Sequence, residues 1–301
     1  MKILLIGATG QLGGDLLRNN PGHDIVAPAR ADLDLTRPEQ LAEFVRSGKP
    51  ELVMNCAAFH NVPLCEEQPA QAFAVNCVAV RNLAAVCAET GAWLVTFSSD
   101  YVFGDEKTTP RLESDPPAPL QIYGISRLAG EHAALATAPG RAVVIRTCGL
   151  YGRSGAKSKG GNFVDGRVAD ARAGKRIEMA SEQVVAPTST SDLSRALYSL
   201  IAHPKLASGI YHLVNEGQCS WYELTCAIVE ILGARAEVVP VNRGGRSGNM
   251  RRPLHSVLAN TRARALGITL QPWRDALETY LRAKYPEAFE GQRQVGRSSQ
   301  N

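Results

Sequence analysis

The chain predicts an α/β protein in which a doubly wound parallel sheet carries a smaller α/β lobe. Three observations point there. A strand, a glycine turn and a helix follow one another directly from Met1; strand-length apolar runs then alternate with helical stretches to about residue 150; and beyond Tyr151 the alternation loosens. The expected division is a sheet domain over 1–150, to which later segments return, a lobe mainly over 151–285, and a disordered tail over 286–301.

Residues 1–6, Met-Lys-Ile-Leu-Leu-Ile, contain no turn former and read as a buried strand. Gly7-Ala8-Thr9-Gly10-Gln11-Leu12-Gly13 follows at once, and a helical stretch continues to about Asn19. Glycines at 7, 10 and 13 let the backbone turn, approach a pyrophosphate and pack helix on strand. The helix's free N–H groups and its dipole receive the negative charge. Placed between strand and helix, the motif predicts a dinucleotide site built from Gly7, Thr9, Gly10, Gln11, Leu12 and Gly13, and so a Rossmann domain that binds NAD(P).

A strand at 24–27 leads to Arg30, where an NAD site would offer an acid to the ribose hydroxyls. A cation there favours NADPH, with NADH also open, and Asp32 or Asp34 would take the ribose if Arg30 is only a solvated loop residue. Helices at 38–47, 69–89 and 123–137 alternate with strands at 51–54, 92–97 and 142–147. Tyr123 and Arg127 stand at i and i+4 in the last of these helices and share a face. A cation there lowers a phenol's pKa from about 10 and can still reach a bound ribose, so the tyrosine could pass a proton to a ketone oxygen. The same spacing also serves surface packing by a snorkelling cation. After residue 151 come a helix following Asn162, a short strand near 176–180, and helices near 191–202, 220–232 and 273–284.

Composition narrows the function. The 301 residues are 45% hydrophobic and 21% charged, enough for a substantial core. A net charge of +4, from 33 basic and 29 acidic residues with no basic run interleaved with aromatics, gives no reason to expect nucleic acid. No apolar run approaches the roughly 20 residues of a membrane span, and no leader is seen, so a cytoplasmic protein without a membrane partner is expected. Seven cysteines, none spaced Cys-x-x-Cys, fit reduced thiols, and no metal site is expected.

Several segments carry a closer likeness: Phe97-Ser-Ser99-Asp100-Tyr101-Val-Phe, Tyr123-Gly-Ile-Ser-Arg127-Leu-Ala-Gly-Glu131, Gly161-Asn162-Phe163-Val164, Gln183-Val-Val-Ala-Pro187-Thr188, Ser220-Trp221-Tyr222-Glu223, and Arg252-Pro253-Leu-His-Ser256-Val-Leu258-Ala-Asn260. With these in order, the chain to about Tyr285 resembles the dTDP-4-dehydrorhamnose reductase family, extended short-chain dehydrogenases that reduce 4-keto nucleotide sugars.

The resemblance implies an NAD(P)H-dependent oxidoreductase acting on a nucleotide-diphosphate sugar. Ser99 would hydrogen-bond the keto oxygen, Tyr123 donate the proton with Arg127 beside it, and the nicotinamide deliver hydride to C4. Asp34 and Leu35 would flank the adenine, and Cys56, Ala57, Ala58 and Asn76 would lie along the cofactor, although helix and strand packing would also explain those four. Asp100, Tyr101, Asn162, Phe163, Gln183 and Arg252 would face substrate. Three departures stand out: Arg127 replaces the family's lysine, Gly149 its tryptophan, and Pro63-Leu64 an Asp-Lys pair. The arginine leaves two other readings open, a regulatory subunit like the beta subunit of methionine adenosyltransferase and a nucleotide-sugar epimerase; a homodimer is also open.

Overall fold

The computed structural model describes residues 1–104, 107–154, 161–247 and 250–290. The first half alternates as its pattern dictates: β1 (Lys2–Ile6), α1 (Gln11–Arg18), β2 (Asp24–Val26), α2 (Pro38–Gly48), β3 (Leu52–Asn55), α3 (Val62–Glu67), α4 (Pro69–Phe73), α5 (Ala79–Thr90), β4 (Trp93–Ser99), α6 (Ile122–Thr137) and β5 (Ala142–Thr147). The second half comprises β6 (Leu150–Tyr151), α7 (Phe163–Arg172), β7 (Ile177–Ala180), β8 (Val184–Val185), β9 (Thr188–Ser189), α8 (Thr190–Ile201), β10 (Gly209–His212), β11 (Cys219–Ser220), α9 (Trp221–Leu232), β12 (Val238–Val241), β13 (Arg246–Ser247), β14 (Met250–Arg251), α10 (Thr261–Ala265) and α11 (Trp273–Lys284).

A six-stranded sheet in the order β10-β5-β4-β3-β1-β2, parallel throughout, forms the centre. Alternate side chains of a strand leave by opposite faces, and here both faces are buried. Ile3, Leu5, Met54, Val95 and Ile145 pack with Leu12, Leu16, Leu193 and Leu197 of α1 and α8. Leu4, Ile6, Val53, Leu94 and Val144 pack with Leu41, Val45, Leu83 and Ala134 of α2, α5 and α6. β1 lies between β3 and β2, so the chain reverses its direction of winding there. A crevice opens at the carboxyl ends of β1 and β3.

Strand β10 was not read from the sequence. Four residues opening on a glycine carry little pattern; the strand exists because Gly209 to His212 pair in register with Val143 to Arg146 of β5. With α8 it returns the later chain to the first domain. The expected helix over 69–89 also changes character: α4 and α5 are joined by a π turn, Ala74–Val78. The whole stretch Pro69–Thr90 is long and apolar enough to cross a membrane by length and composition alone, which corrects the expectation that no stretch approached that length. Its Val80, Leu83, Ala84 and Cys87 are packed into the second core cluster.

The second lobe has its own core, in which Val164 and Val168 of α7, Leu224 and Ile228 of α9, and Leu277 and Leu281 of α11 meet. Ser220 and Glu223 close a capping box that starts α9. Asp165 ties α11 down, accepting from Tyr280 Oη at 2.6 Å, Tyr285 Oη at 2.7 Å and Lys284 Nζ at 2.6 Å. The expected tail over 286–301 is corrected at its start: Pro286–Phe289 is a 3-10 turn with Phe289 buried in this lobe's core, while 291–301 lie outside the described residues. Within the first half, Glu131 of α6 and Arg146 of β5 form a buried two-bond ion pair, 2.9 and 2.6 Å, with the guanidinium 4.9 Å above the Phe103 ring.

Candidate functional site

The glycine turn fills the β1 end of the crevice. Gly7 sits at φ +81°, and a Cβ there would lie 2.8 Å from the Ala57 amide nitrogen, so the turn presses against the chain leaving β3. A Cβ on Gly13 would meet the Gly7 oxygen at 2.3 Å, which sets how closely α1 packs on the turn. Gly10 differs: its Cβ would meet only the Gly7 oxygen, at 3.3 Å, leaving its outer face open. No side chain caps α1 there. A buried Gln11 Oε1 also lacks a partner, while Gln11 Nε2 reaches the Leu150 carbonyl at 3.4 Å. Thr9 is exposed, whereas Leu12 belongs to the core.

Beyond β2, Arg30 is exposed. Asp34 accepts from the Thr36 amide and hydroxyl at 2.9 and 2.7 Å, and these bonds, with the charges of Arg37 and Arg30, hold its carboxyl below the usual carboxylate range. Leu35 is in the core with Leu33 and Leu41. After β3, Cys56, Ala57 and Ala58 are half-buried beside the glycine turn. Asn76 is buried. Its Oδ1 accepts from the Phe59 amide and its Nδ2 donates to the Phe59 carbonyl, both at 2.9 Å, with a further bond to Ser126 Oγ at 3.0 Å. It therefore holds the post-β3 segment in place.

Tyr123 and Arg127 do share one face of α6: the guanidinium carbon lies 5.7 Å from the centre of the phenol ring. Tyr123 is half-buried, Arg127 is buried, and Arg127 Nε has no partner. Its charge is felt at Cys56, whose thiol burial pushes upward and Arg127 pulls back. Gln121 begins α6 by accepting the Gly124 amide at 2.7 Å, and a Cβ on Gly124 would strike the Tyr101 oxygen at 2.0 Å. That close approach puts the Tyr101 and Tyr123 rings 6.1 Å apart, edge to face. Ser99, at the end of β4, accepts the Tyr101 amide at 3.2 Å, so Ser99, Tyr101, Tyr123 and Arg127 form one cluster at the carboxyl end of the sheet.

From the second lobe, the Arg252 charge opposes the upward push of burial on the Tyr101 phenol, and its buried Nε lacks a partner. Phe163 stacks on Trp221 at 4.5 Å. Gln183 is buried and bonds Glu182. Asn162 is committed internally, accepting the Asp165 amide at 2.8 Å as the cap of α7 and donating to Gly152 O and Tyr280 Oη at 3.0 Å each. The buried Asp100 carboxyl likewise has internal partners, taking Ser99 Oγ, Cys148 Sγ and Ser256 Oγ. No sequence signal joined Cys148 or Ser256 to Asp100. Gly149 sits at φ +54° with Pro187 Cα 3.1 Å from where its Cβ would lie, so backbone conformation favours glycine at that departure. Pro63 and Leu64 lie in α3.

Residues 1–285 match the family described as the RmlD substrate binding domain. The spore coat polysaccharide biosynthesis protein SpsK of Bacillus subtilis is 33% identical to this chain, with 94% of this chain and 98% of that protein covered. The dTDP-4-dehydrorhamnose reductase of Burkholderia thailandensis is 34% identical, with 92% and 97% covered. The structure of the Bacillus anthracis dTDP-4-dehydrorhamnose reductase in complex with NADP superposes with a TM-score of 0.87 at 30% identity, covering 93% of this chain and 98% of that one.

Proposed function

This chain belongs to the dTDP-4-dehydrorhamnose reductase family, and from that premise we propose that it is an oxidoreductase that reduces the keto group of a dTDP-linked 4-keto sugar with NADPH. The observation that carries the reading is the half-buried Tyr123 phenol with the Arg127 guanidinium beside its ring, in the crevice that the glycine turn also lines.

The residues fit the cofactor. The open face of Gly10 and the uncapped start of α1 suit a pyrophosphate, the partnerless Arg127 Nε suits a ribose hydroxyl, and exposed Arg30 suits a 2′-phosphate. When bound, NADPH supplies the hydride. The protein's part is charge and proton management. Charge builds on the substrate oxygen as the ketone becomes an alkoxide, and donors placed there bind the transition state more tightly than the ground state. Tyr123 donates the proton, and the Arg127 guanidinium lies beside its ring. Arg252, whose buried Nε has no partner, holds the diphosphate through paired bonds.

The test is NADPH consumption by the purified protein over a panel of dTDP-4-keto sugars. Tyr123→Phe should lower kcat by about 100-fold or more while leaving NADPH affinity nearly unchanged, since it removes the proton and keeps the ring. NADPH binding without consumption on any sugar of the panel would sink the reading.

A further inference from the structure

Asp100 is buried in the space between the catalytic cluster and the second lobe, yet none of its side-chain partners is a cation. Oδ1 lies 2.8 Å from Ser99 Oγ, and Oδ2 lies 2.6 Å from Ser256 Oγ and 3.1 Å from Cys148 Sγ. Three segments meet on this carboxyl: the end of β4, the end of β5, and the stretch that returns from the second lobe. A buried carboxylate held only by neutral donors is costly.

The count of protons at Ser99 decides what the carboxyl must be. A hydroxyl has one proton to give. Ser99 Oγ already accepts the Tyr101 amide. Beside an ionised Asp100 it would spend its single proton on Oδ1, leaving only lone pairs toward a keto oxygen, which is itself an acceptor. If Oδ1 carries a proton the bond reverses, and the Ser99 hydroxyl is released. The partners of Oδ2 agree with that placement, because the Ser256 hydroxyl and the Cys148 thiol both have a proton to give, and an acid protonated at Oδ1 accepts both at Oδ2.

We propose that Asp100 is a positioning residue that works as a neutral carboxylic acid, donating to Ser99 Oγ so that the Ser99 hydroxyl is turned to the keto oxygen. The proposal rests on the ketoreductase reading above. Asp100 loses no proton in the reaction: Tyr123 supplies the one that ends on the substrate oxygen, and Ser99 contributes a hydrogen bond. The surroundings favour the neutral form. Burial raises the Asp100 pKa against the pull of its three side-chain hydrogen bonds and one from its own backbone amide. Burial also holds the neighbouring Cys148 thiol and Tyr101 phenol protonated, with the Arg252 charge acting against it at Tyr101.

Infrared difference spectra of the full chain, wild type minus Asp100→Asn at pH 7, should show the C=O stretch of a protonated carboxyl. In steady-state assays Asp100→Asn should keep most of its kcat, because the amide N–H₂ donates to Ser99 while its oxygen accepts from Ser256 and Cys148. Asp100→Ala should lose about 100-fold in kcat with little change in KM, as when a donor to the developing oxyanion is lost. Loss of activity with pH through ionisation of Asp100 should be absent in Asp100→Asn. A missing infrared band, or an Asp100→Asn variant as slow as Asp100→Ala, overturns the proposal. The infrared arm needs no turnover, so a band without ketone reduction defeats the reductase reading alone, and reduction without the band defeats this one.

Discussion

At His212 a single side chain links burial to pH. The ring is fully buried, its Nδ1 lies 3.1 Å from the Ala259 carbonyl, and Phe103 meets it edge-on at 6.0 Å. Burial first, then the Arg146 charge, pushes its pKa down to about 3. The folded protein therefore holds His212 neutral, while the unfolded chain takes up a proton below about 6.5. Between those values the unfolded state binds more protons, so stability falls as pH falls, by about 1.4 kcal/mol per unit. Urea midpoints measured from pH 6.5 down to 4.5 should drop more steeply in the wild type than in His212→Gln. Parallel slopes would remove His212 from the acid response.

Helix α6 carries Tyr123 and Arg127, and its place depends on a glycine that touches neither. A Cβ on Gly130 would lie 2.0 Å from the Asn76 carbonyl oxygen in the π turn, a backbone atom that cannot swing aside. Gly130→Ala should force α6 away from that turn, costing about 1–3 kcal/mol as overpacking does, and should lower kcat because Tyr123 moves with the helix. Gly166, inside α7, would meet nothing with an added Cβ, so Gly166→Ala should stabilise by about 0.5–1 kcal/mol. Chemical denaturation of the two variants gives the comparison. Equal and small effects would show that the approach of α6 to the π turn is soft.

Across the whole molecule, cofactor binding is expected to read out as stability. A ligand that binds only the folded chain adds RT ln(1 + [L]/Kd), about 2.7 kcal/mol at 100 times Kd. NADPH should therefore raise Tm by several degrees, and by more than NADH at equal concentration, because exposed Arg30 offers its charge to a 2′-phosphate. A scanning-fluorimetry series with both nucleotides checks this, and Arg30→Ala should bring the two shifts together. Identical shifts in the wild type would return Arg30 to the solvated surface.

What the sequence determined by itself was everything that depends on neighbours a few residues apart. The run 1–6, the glycines at 7, 10 and 13, and Tyr123 with Arg127 at helical spacing each express a local geometric demand, so the sheet, its turn and the shared face of α6 were legible. Only the tertiary structure decided which side chains those elements would meet. Asp100 reads in sequence as part of a substrate-facing segment, and Asn162 likewise. The fold instead brings Cys148 and, from 156 residues away, Ser256 onto the first, and Tyr280 onto the second. Strand β10 lacks a pattern of its own and exists through its pairing with β5. A buried polar group must satisfy its bonds with whatever the chain path delivers to it. Spacing therefore set where each residue faces, and long-range burial set whether its polar atoms were free for a ligand or already taken.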